Sequence, residues 1–300
     1  MSGDFATPSE IFVPRQATPI SPEVYHYLTQ DGTVRVAAHI FSNMLPPLPA
    51  DAIIHDVGCG SGEAIEGLMR SGPPPSIKIY ASDFDTNMVA ACRAKAAREG
   101  WPLAGRPEEA IRHLDAANLA GVPDAAFTHA IINMVLHGLP EGEPEKAAKE
   151  LYRTLRSGGV GVVTTGRRTL GIPTIARTSQ ATRGKGVQLK FPMDDMVKWE
   201  SGERLKECLV SGGFRPEDIK LDKCQSVMWL DDFKKWTNAL WSLLGRRAGD
   251  NDWMQEDEDK WDEALDFLMK QIQESDLAEQ EADGRWKVSF IGNVAIATKP

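Results

Sequence analysis

A glycine-rich turn, residues 56–62 with the sequence Asp-Val-Gly-Cys-Gly-Ser-Gly, stands between an apolar segment and a helical one. The apolar segment, residues 53–57, predicts a short strand, and residues 63–70 predict a helix. Glycine lets the backbone turn tightly and lets a ligand approach it closely. The first amides of the following helix favour an anionic group at the same place. We therefore expect a strand–turn–helix unit that binds a ligand.

From residue 51 the chain alternates between strand patterns and helix patterns. Alternation of this kind predicts a parallel sheet with right-handed crossovers and an α/β fold. The apolar runs predict seven strands, at 53–57, 77–81, 110–114, 127–133, 160–164, 219–224 and 288–297.

The remaining segments break the alternation. Residues 1–20 have three prolines and little periodicity, and predict a mobile arm. Residues 21–50 begin with a helix-start signal at Ser21 and predict an N-terminal helical lid. Residues 51–300 are predicted to form one domain that carries an inserted cap. The cap consists of residues 166–195 and of residues 226–283, and the second segment is expected to be helical.

Two acidic residues follow predicted strands at the edge where the glycine-rich turn lies. Asp83 ends the second strand, 21 positions after Gly62. A carboxylate at this place can accept hydrogen bonds from both ribose hydroxyls of a ligand. The alternative is that Asp83 caps the next helix, although Asp85 is better placed for capping. Asp115 follows the third strand, where it is either an adenine contact or an ordinary loop residue. The glycine spacing, with Glu63 after the last glycine, differs from that of a dinucleotide-binding loop, which argues against a nicotinamide oxidoreductase.

These segments resemble the class I methyltransferases over about residues 50–165. Residues 56–62 resemble the first motif of that class, Asp83 with Met88 the second, and Asp115 the adenine contact, while residues 155–159 are similar to the turn before the fifth strand. The resemblance implies a Rossmann-like, seven-stranded α/β sheet with an antiparallel last strand. It also implies an enzyme that transfers a methyl group from S-adenosyl-L-methionine, with no metal. The residues then expected to bind the cofactor are Asp56, Gly58, Cys59, Gly60, Asp83, Phe84, Met88, Asp115, Ala116, Asn133 and Tyr25.

Catalytic candidates should lie near the end of the fourth strand. A base is needed only if the acceptor carries a proton at neutral pH, and His137 can accept one because the ordinary pKa of histidine is about 6.5. A solvated loop histidine is the alternative for His137. Asn133 is expected to contact the cofactor or the acceptor through its amide. His55 and His129 lie inside predicted strands and are expected to be core residues.

The acceptor is expected to be a small molecule. Residues 121–129 and 156–160 are similar to fungal secondary-metabolite methyltransferases, such as the enzyme that methylates both sulfurs of gliotoxin. The candidate pocket residues come from the divergent segments and are Arg167, Trp229, Phe233 and Trp236. For the three aromatic residues, packing in the core is the alternative.

Composition limits the other possibilities. The net charge of −9 argues against a nucleic-acid binder, which usually has a basic face.

The acidic stretch 250–283 predicts either a solvated helix face, with Trp261 turned inward, or a partner-binding surface. The four cysteines form no CxxC pair, which fits a reducing compartment, and the absence of a signal peptide or long apolar run predicts a cytoplasmic protein without membrane spans. Two alternatives to a small-molecule methyltransferase remain. One is a relative that binds the cofactor without transferring its methyl group, and the other is a methyltransferase that acts on protein or RNA.

Overall fold

The computed structural model describes residues 12–168, 171–191 and 197–300. Residues 1–11 of the predicted arm and residues 169–170 and 192–195 of the predicted cap lie outside the described residues, as does residue 196. The strands are β1 Ile53–Val57, β2 Lys78–Asp83, β3 Ile111–His113, β4 Phe127–Asn133, β5 Leu155–Arg168, β6 Ile219–Leu230, β7 Ala278–Gln280 and β8 Trp286–Thr298. The helices are α1 Pro22–Thr29, α2 Gly32–His39, α3 Glu63–Arg70, α4 Thr86–Glu99, α5 Pro107–Ala110, α6 Glu143–Thr154, α7 Gly171–Arg183, α8 Glu203–Gly212, α9 Phe233–Leu244, α10 Gln255–Asp259 and α11 Trp261–Gln273.

The strands form one sheet in the order β3-β2-β1-β4-β5-β8-β6, and β7 pairs with β8 beside this path. β1 to β5 are parallel, and β8 is antiparallel to β5. The α/β fold and the antiparallel last strand are therefore confirmed. The expectation of exactly seven strands is wrong, because the sheet has an eighth strand, β7, in a region that was expected to be helical.

Contacts between residues divide the chain into two compact units. The described residues of the larger unit are 30–168, 197–228 and 289–300, and those of the smaller unit are 12–29, 171–191 and 229–288. The chain therefore enters the smaller unit three times, and β8 begins in the smaller unit and ends in the larger one.

In the larger unit the sheet is covered on both faces. Neighbouring residues of one strand belong to different apolar clusters, as Ile131 and Ile132 do on β4. One cluster includes residues of α2, α3 and α4, and the other includes residues of α6 and α8. This alternation follows from the strand geometry, which points successive side chains to opposite faces.

Helix α2 packs closely on α3 within the larger unit. A β-carbon at Gly67 of α3 would lie only 2.5 Å from the backbone oxygen of Val34 and 2.6 Å from the Ala37 β-carbon. Glycine at position 67 is therefore what allows the two helix backbones to approach each other. Of the segment 21–50 predicted as a lid, residues 21–29 belong to the smaller unit and residues 30–50 to the larger one.

The smaller unit has a core of helices. Trp261 of α11, predicted to face inward, is fully buried, and three further side chains of the same helix are fully or almost fully buried: Leu265, Leu268 and Ile272. The acidic stretch is only partly a solvated face, because Asp257 is 5% exposed and its carboxylate pairs with Arg183 at 2.7 Å and Arg247 at 2.8 Å. Asp257 thus neutralises buried positive charge inside this unit.

Residues 12–20, predicted to be a mobile arm, are hydrogen-bonded to helices of the smaller unit. Arg15 donates to the Glu258 carboxylate through its backbone amide and its Nε, each at 2.9 Å. The Thr18 amide donates to Ser242 Oγ at 2.9 Å. Asn238 Nδ2 donates to the Gln16 carbonyl at 3.0 Å. These bonds hold the described part of the arm in place.

None of the described helices is both long enough and apolar enough to span a bilayer.

Candidate cofactor site

The glycine-rich turn is clamped to the end of β2. The backbone amides of Gly58 and Cys59 both donate to the Ser82 carbonyl, at 2.8 and 2.9 Å. Gly58 has φ +72°, and a β-carbon there would lie 2.5 Å from a methyl carbon of Val135. Only glycine fits that position, since it tolerates both the left-handed backbone and the close neighbour. The turn is therefore a defined, tightly packed cradle.

Asp83 joins the turn to the end of β2 through its side chain. Its Oδ2 accepts from the Gly60 amide at 2.8 Å, and its Oδ1 accepts from the Asp85 amide at 2.9 Å. Each carboxylate oxygen can accept a second hydrogen bond, and Asp83 is only half-buried. Asp85, rather than Asp83, caps α4, because its Oδ1 accepts from the Asn87 amide at 2.7 Å. Asp83 is therefore available to a hydroxylated ligand.

Asp56 lies beneath the turn at the end of β1 and has no exposed surface. Neither carboxyl oxygen has a hydrogen-bond partner of normal geometry in the structure. Burial, with Glu63 and Asp83 nearby, holds the pKa of Asp56 well above its usual range, while the Ile65 amide acts in the opposite direction. A cation brought to this turn would relieve the crowding of acidic groups.

Glu63 is a neighbour of the turn that was not among the predicted cofactor-binding residues. Its carboxylate accepts from the Ser61 hydroxyl, and its Oε2 lies 2.8 Å from where a β-carbon at Gly60 would be. The sequence offered only its place at the first position of α3, which is favourable for an acid through the helix dipole. In the structure Glu63 adds negative charge directly at the turn.

Other predicted cofactor residues lie along the same edge of the sheet. Phe84 follows Asp83 and is 73% exposed, and Met88 is half-buried on α4. The Leu114 amide donates to the Asp83 carbonyl at 3.0 Å, which ties the segment containing Asp115 to the end of β2. Asp115 is exposed and Ala116 is buried. The structure thus brings the ends of β1, β2 and β3 together around one candidate site.

The end of β4 holds Asn133 in a polar network. Asn133 Oδ1 accepts from the Thr164 hydroxyl at 2.7 Å, and its Nδ2 donates to the Thr33 carbonyl at 3.5 Å. The next residue, Met134, has φ +62°, a left-handed conformation that is strained for a side chain of this kind. Two bonds from its amide, to the Thr164 carbonyl and hydroxyl, hold it there. The oxygen and the nitrogen of the Asn133 side-chain amide therefore each have a protein partner.

His137 lies in a single helical turn, Leu136–Gly138, after β4. Burial lowers its pKa to about 4, and its Nδ1 is buried without a hydrogen-bond partner. His137 as a whole is half-buried, which places it between a solvated loop histidine and a core residue. His137 is neutral at pH 7, which is the form that can accept a proton, but its lowered pKa makes it a weak base.

Of the predicted pocket residues, Arg167 belongs to the larger unit. Its Nη1 lies 3.4 Å from both the Ser201 carbonyl and Asn293 Oδ1.

The aromatic candidates and Tyr25 belong to the smaller unit. Tyr25 is 53% exposed and Trp229 is 37% exposed. Phe233 is half-buried, with its ring stacked on Trp286 at 4.9 Å between centroids. Trp236 is only 3% exposed, and its Nε1 donates to the Leu28 carbonyl at 3.2 Å. Its surroundings correct the expectation of a pocket residue: Trp236 is a core residue that joins α9 to α1.

Comparison with known proteins gives a matching domain family and similar folds. Residues 55–163 match the methyltransferase domain family. A candidate methyltransferase from Bacillus halodurans has the same fold, with 15% identity, a TM-score of 0.53, and coverage of 89% of this chain and 98% of that one. The YcgJ protein from Bacillus subtilis gives 12% identity, a TM-score of 0.54, and coverage of 88% and 97%. A search of curated proteins finds no match. The chain contains a methyltransferase domain, and its cofactor is S-adenosylmethionine.

Proposed function

We propose that this protein transfers the methyl group of S-adenosylmethionine to an oxygen, nitrogen or sulfur atom of a small-molecule acceptor, a secondary metabolite. The observation that carries the proposal is Asp83, whose carboxylate bonds the Gly60 amide while keeping acceptor capacity at the end of β2. This arrangement suits the ribose of a nucleoside cofactor. The choice of a small molecule is supported by the resemblance of residues 121–129 to enzymes of secondary metabolism.

In this proposal the cofactor supplies a methyl group already activated on a sulfonium. Asp83 accepts from the ribose hydroxyls, and Phe84 and Asp115 flank the adenine. Glu63 places negative charge at the turn, which favours a cationic ligand electrostatically. The turn itself offers closely approachable backbone at Gly58 and Gly60. The chain's residues thus bind and orient the cofactor, and the remaining task is alignment of the acceptor.

His137 is the candidate that handles the acceptor's proton. It is neutral at pH 7, so it can accept a hydrogen bond from an acceptor hydroxyl, thiol or ammonium and take the proton as methyl transfer proceeds. Its lowered pKa favours transient acceptance over full deprotonation before the transfer. Asn133, engaged by Thr164, acts as a positioning residue for the end of β4. Arg167, Trp229 and Phe233 remain candidates for acceptor contacts.

The test compares metabolites from strains with the gene, without it, and with an Asp83→Ala version. We expect a product one methyl group heavier than its precursor only in the strain with the intact gene. Transfer of isotope-labelled methyl from S-adenosylmethionine to the isolated precursor, using purified protein, then identifies the acceptor atom. Labelling of protein or RNA in place of small molecules would reject the proposal.

A second candidate is a protein that binds S-adenosylmethionine without transferring methyl. The lowered pKa of His137 favours it, because a weak base is poorly suited to remove the acceptor's proton. Calorimetry distinguishes the two functions when it is combined with the labelling experiment. Tight cofactor binding with no labelled product from any extract fraction would support the binding function.

A further inference from the structure

Thr164 joins the ends of two neighbouring strands through its hydroxyl. It lies on β5 directly opposite Asn133 of β4, and it has no exposed surface. The hydroxyl donates to Asn133 Oδ1 at 2.7 Å and accepts from the Met134 amide at 2.9 Å. A threonine hydroxyl can donate and accept at the same time. One buried oxygen atom therefore holds two consecutive residues at the end of β4.

The bond to the Met134 amide stabilises an unfavourable backbone conformation. Met134 has φ +62°, in the left-handed region that residues with a side chain rarely adopt. Its amide also donates to the Thr164 carbonyl, at 3.1 Å. Strain of this kind persists only where the surrounding contacts enforce it. Without the Thr164 hydroxyl, one of the two bonds to this amide is lost, and we expect the backbone at Met134 to relax.

The strained residue is connected to the glycine-rich turn through its neighbour. Val135 follows Met134, and one of its methyl carbons lies 2.5 Å from where a β-carbon at Gly58 would be. A change in the backbone at Met134 therefore displaces the side chain that packs against Gly58. The Gly58 amide in turn donates to the Ser82 carbonyl at 2.8 Å. A continuous path of contacts thus runs from Thr164 to the turn.

We propose that Thr164 is a positioning residue of the cofactor site: its hydroxyl holds residues 133–135 in the shape that keeps the glycine-rich turn ready to bind S-adenosylmethionine. The proposal rests on the cofactor site described above. Because Thr164 is fully buried, it acts through Met134 and Val135. In a variant without the hydroxyl, only a fraction of the molecules has the binding shape, and the apparent affinity falls by that fraction.

The next residue of β5 supplies a matched control. Thr165 is fully buried, as Thr164 is. Its hydroxyl oxygen has no hydrogen-bond partner among the described residues. Valine keeps the branched shape of threonine and replaces the hydroxyl with a methyl group. The same substitution therefore removes two hydrogen bonds at position 164 and none at position 165.

The test measures the S-adenosylmethionine affinity of the full chain by isothermal titration calorimetry, and its stability by urea unfolding. We expect Thr164→Val to bind about tenfold more weakly, the upper end of what one neutral hydrogen bond contributes. Thr165→Val should bind as wild type does. Thr164→Ser should keep the wild-type affinity, because serine retains the hydroxyl that makes both bonds.

A substitution at Met134 tests whether backbone strain is the cause. Glycine adopts a positive φ without a steric cost, so a Met134→Gly chain does not need the Thr164 hydroxyl to hold this conformation. We expect Thr164→Val to weaken binding much less in the Met134→Gly background than in wild type. A loss that came from altered packing around position 164 would be the same in both backgrounds.

Wild-type affinity in Thr164→Val, an equal loss in Thr165→Val, or an undiminished effect in the Met134→Gly background would overturn the proposal. If Thr164→Val does not fold, Thr164→Ala and Thr164→Ser give the same comparison. Failure of both hydroxyl-free variants to fold, while Thr165→Val folds, would show a structural role instead. If wild type itself does not bind S-adenosylmethionine, the cofactor site and this proposal fail together.

Discussion

The carboxylate of Asp83 accepts a hydrogen bond from the backbone amide of Gly60 at 2.8 Å, across the gap between the end of β2 and the glycine-rich turn. One side chain therefore shapes the turn and presents acceptor capacity to a ligand. This double role makes Asp83 the most informative residue of the site to change.

Asp83→Ala should weaken S-adenosylmethionine binding about tenfold to hundredfold, because hydrogen bonds to a charged group contribute about 1.5–3 kcal/mol. Isothermal titration calorimetry measures the affinity. Asp85→Ala is the matched control: it removes the cap of α4 and should cost about 1 kcal/mol of stability with little change in affinity. Unchanged affinity in Asp83→Ala would remove this residue from the site.

His137→Gln should lower turnover about a hundredfold or more while leaving cofactor affinity alone, since removal of a general base costs typically that much. Because burial lowers the pKa of His137 to about 4, wild-type turnover should show no loss from its protonation between pH 6 and 9. His39→Gln, at an exposed position on α2, serves as the control. Equal turnover in both variants would exclude His137 from the chemistry.

Trp236→Ala should destabilise the protein by about 3–5 kcal/mol, the usual cost of deleting a large buried aromatic side chain. Urea unfolding measures this free energy. Trp229→Ala, at the more exposed position 229, should cost much less and serves as the comparison. A Trp236→Ala protein of normal stability with a raised acceptor KM would return Trp236 to the acceptor pocket.

Acid should destabilise the fold through His55. Burial lowers its folded-state pKa to about 3, against about 6.5 when unfolded, so the unfolded chain binds the proton more readily. The contribution of neutral His55 is complete above about pH 6.5 and falls by about 1.4 kcal/mol per pH unit as the pH drops towards about 3. Urea unfolding at pH 5 and pH 7.5 should show a smaller difference in His55→Phe than in wild type. An equal difference would mean that other groups govern acid unfolding.

The sequence predicted the parts of this fold that local pattern controls. Apolar runs located the seven strands of the main sheet path, and the glycine spacing located the turn. Strand β7 was missed because Ala278–Gln280 is short and polar, with no alternation to identify it. It is a strand only because residues 278–280 pair with residues 286–288 of β8.

The candidate site was predicted as far as it depends on strand ends. Asp83 and the turn meet because parallel strands bring their carboxyl ends to one edge. The partners of other side chains depend on residues far apart in the chain. The Thr164 hydroxyl donates a hydrogen bond to the Asn133 side chain, and the Arg15 side chain donates one to Glu258. No local sequence pattern predicts either pair. The burial that lowers the pKa of His137 is likewise a product of packing.

The position of β8 has a consequence for how the chain is made. β8 lies between β5 and β6, yet the ribosome synthesises it after both of them and after residues 231–285. Until β8 emerges, the edges of β5 and β6 that it will join have no partner, and open strand edges pair readily with other chains. The exposed edges of β5 and β6 must therefore stay unpaired with other chains while residues 231–285 are made, and the arrival of β8 fills both edges.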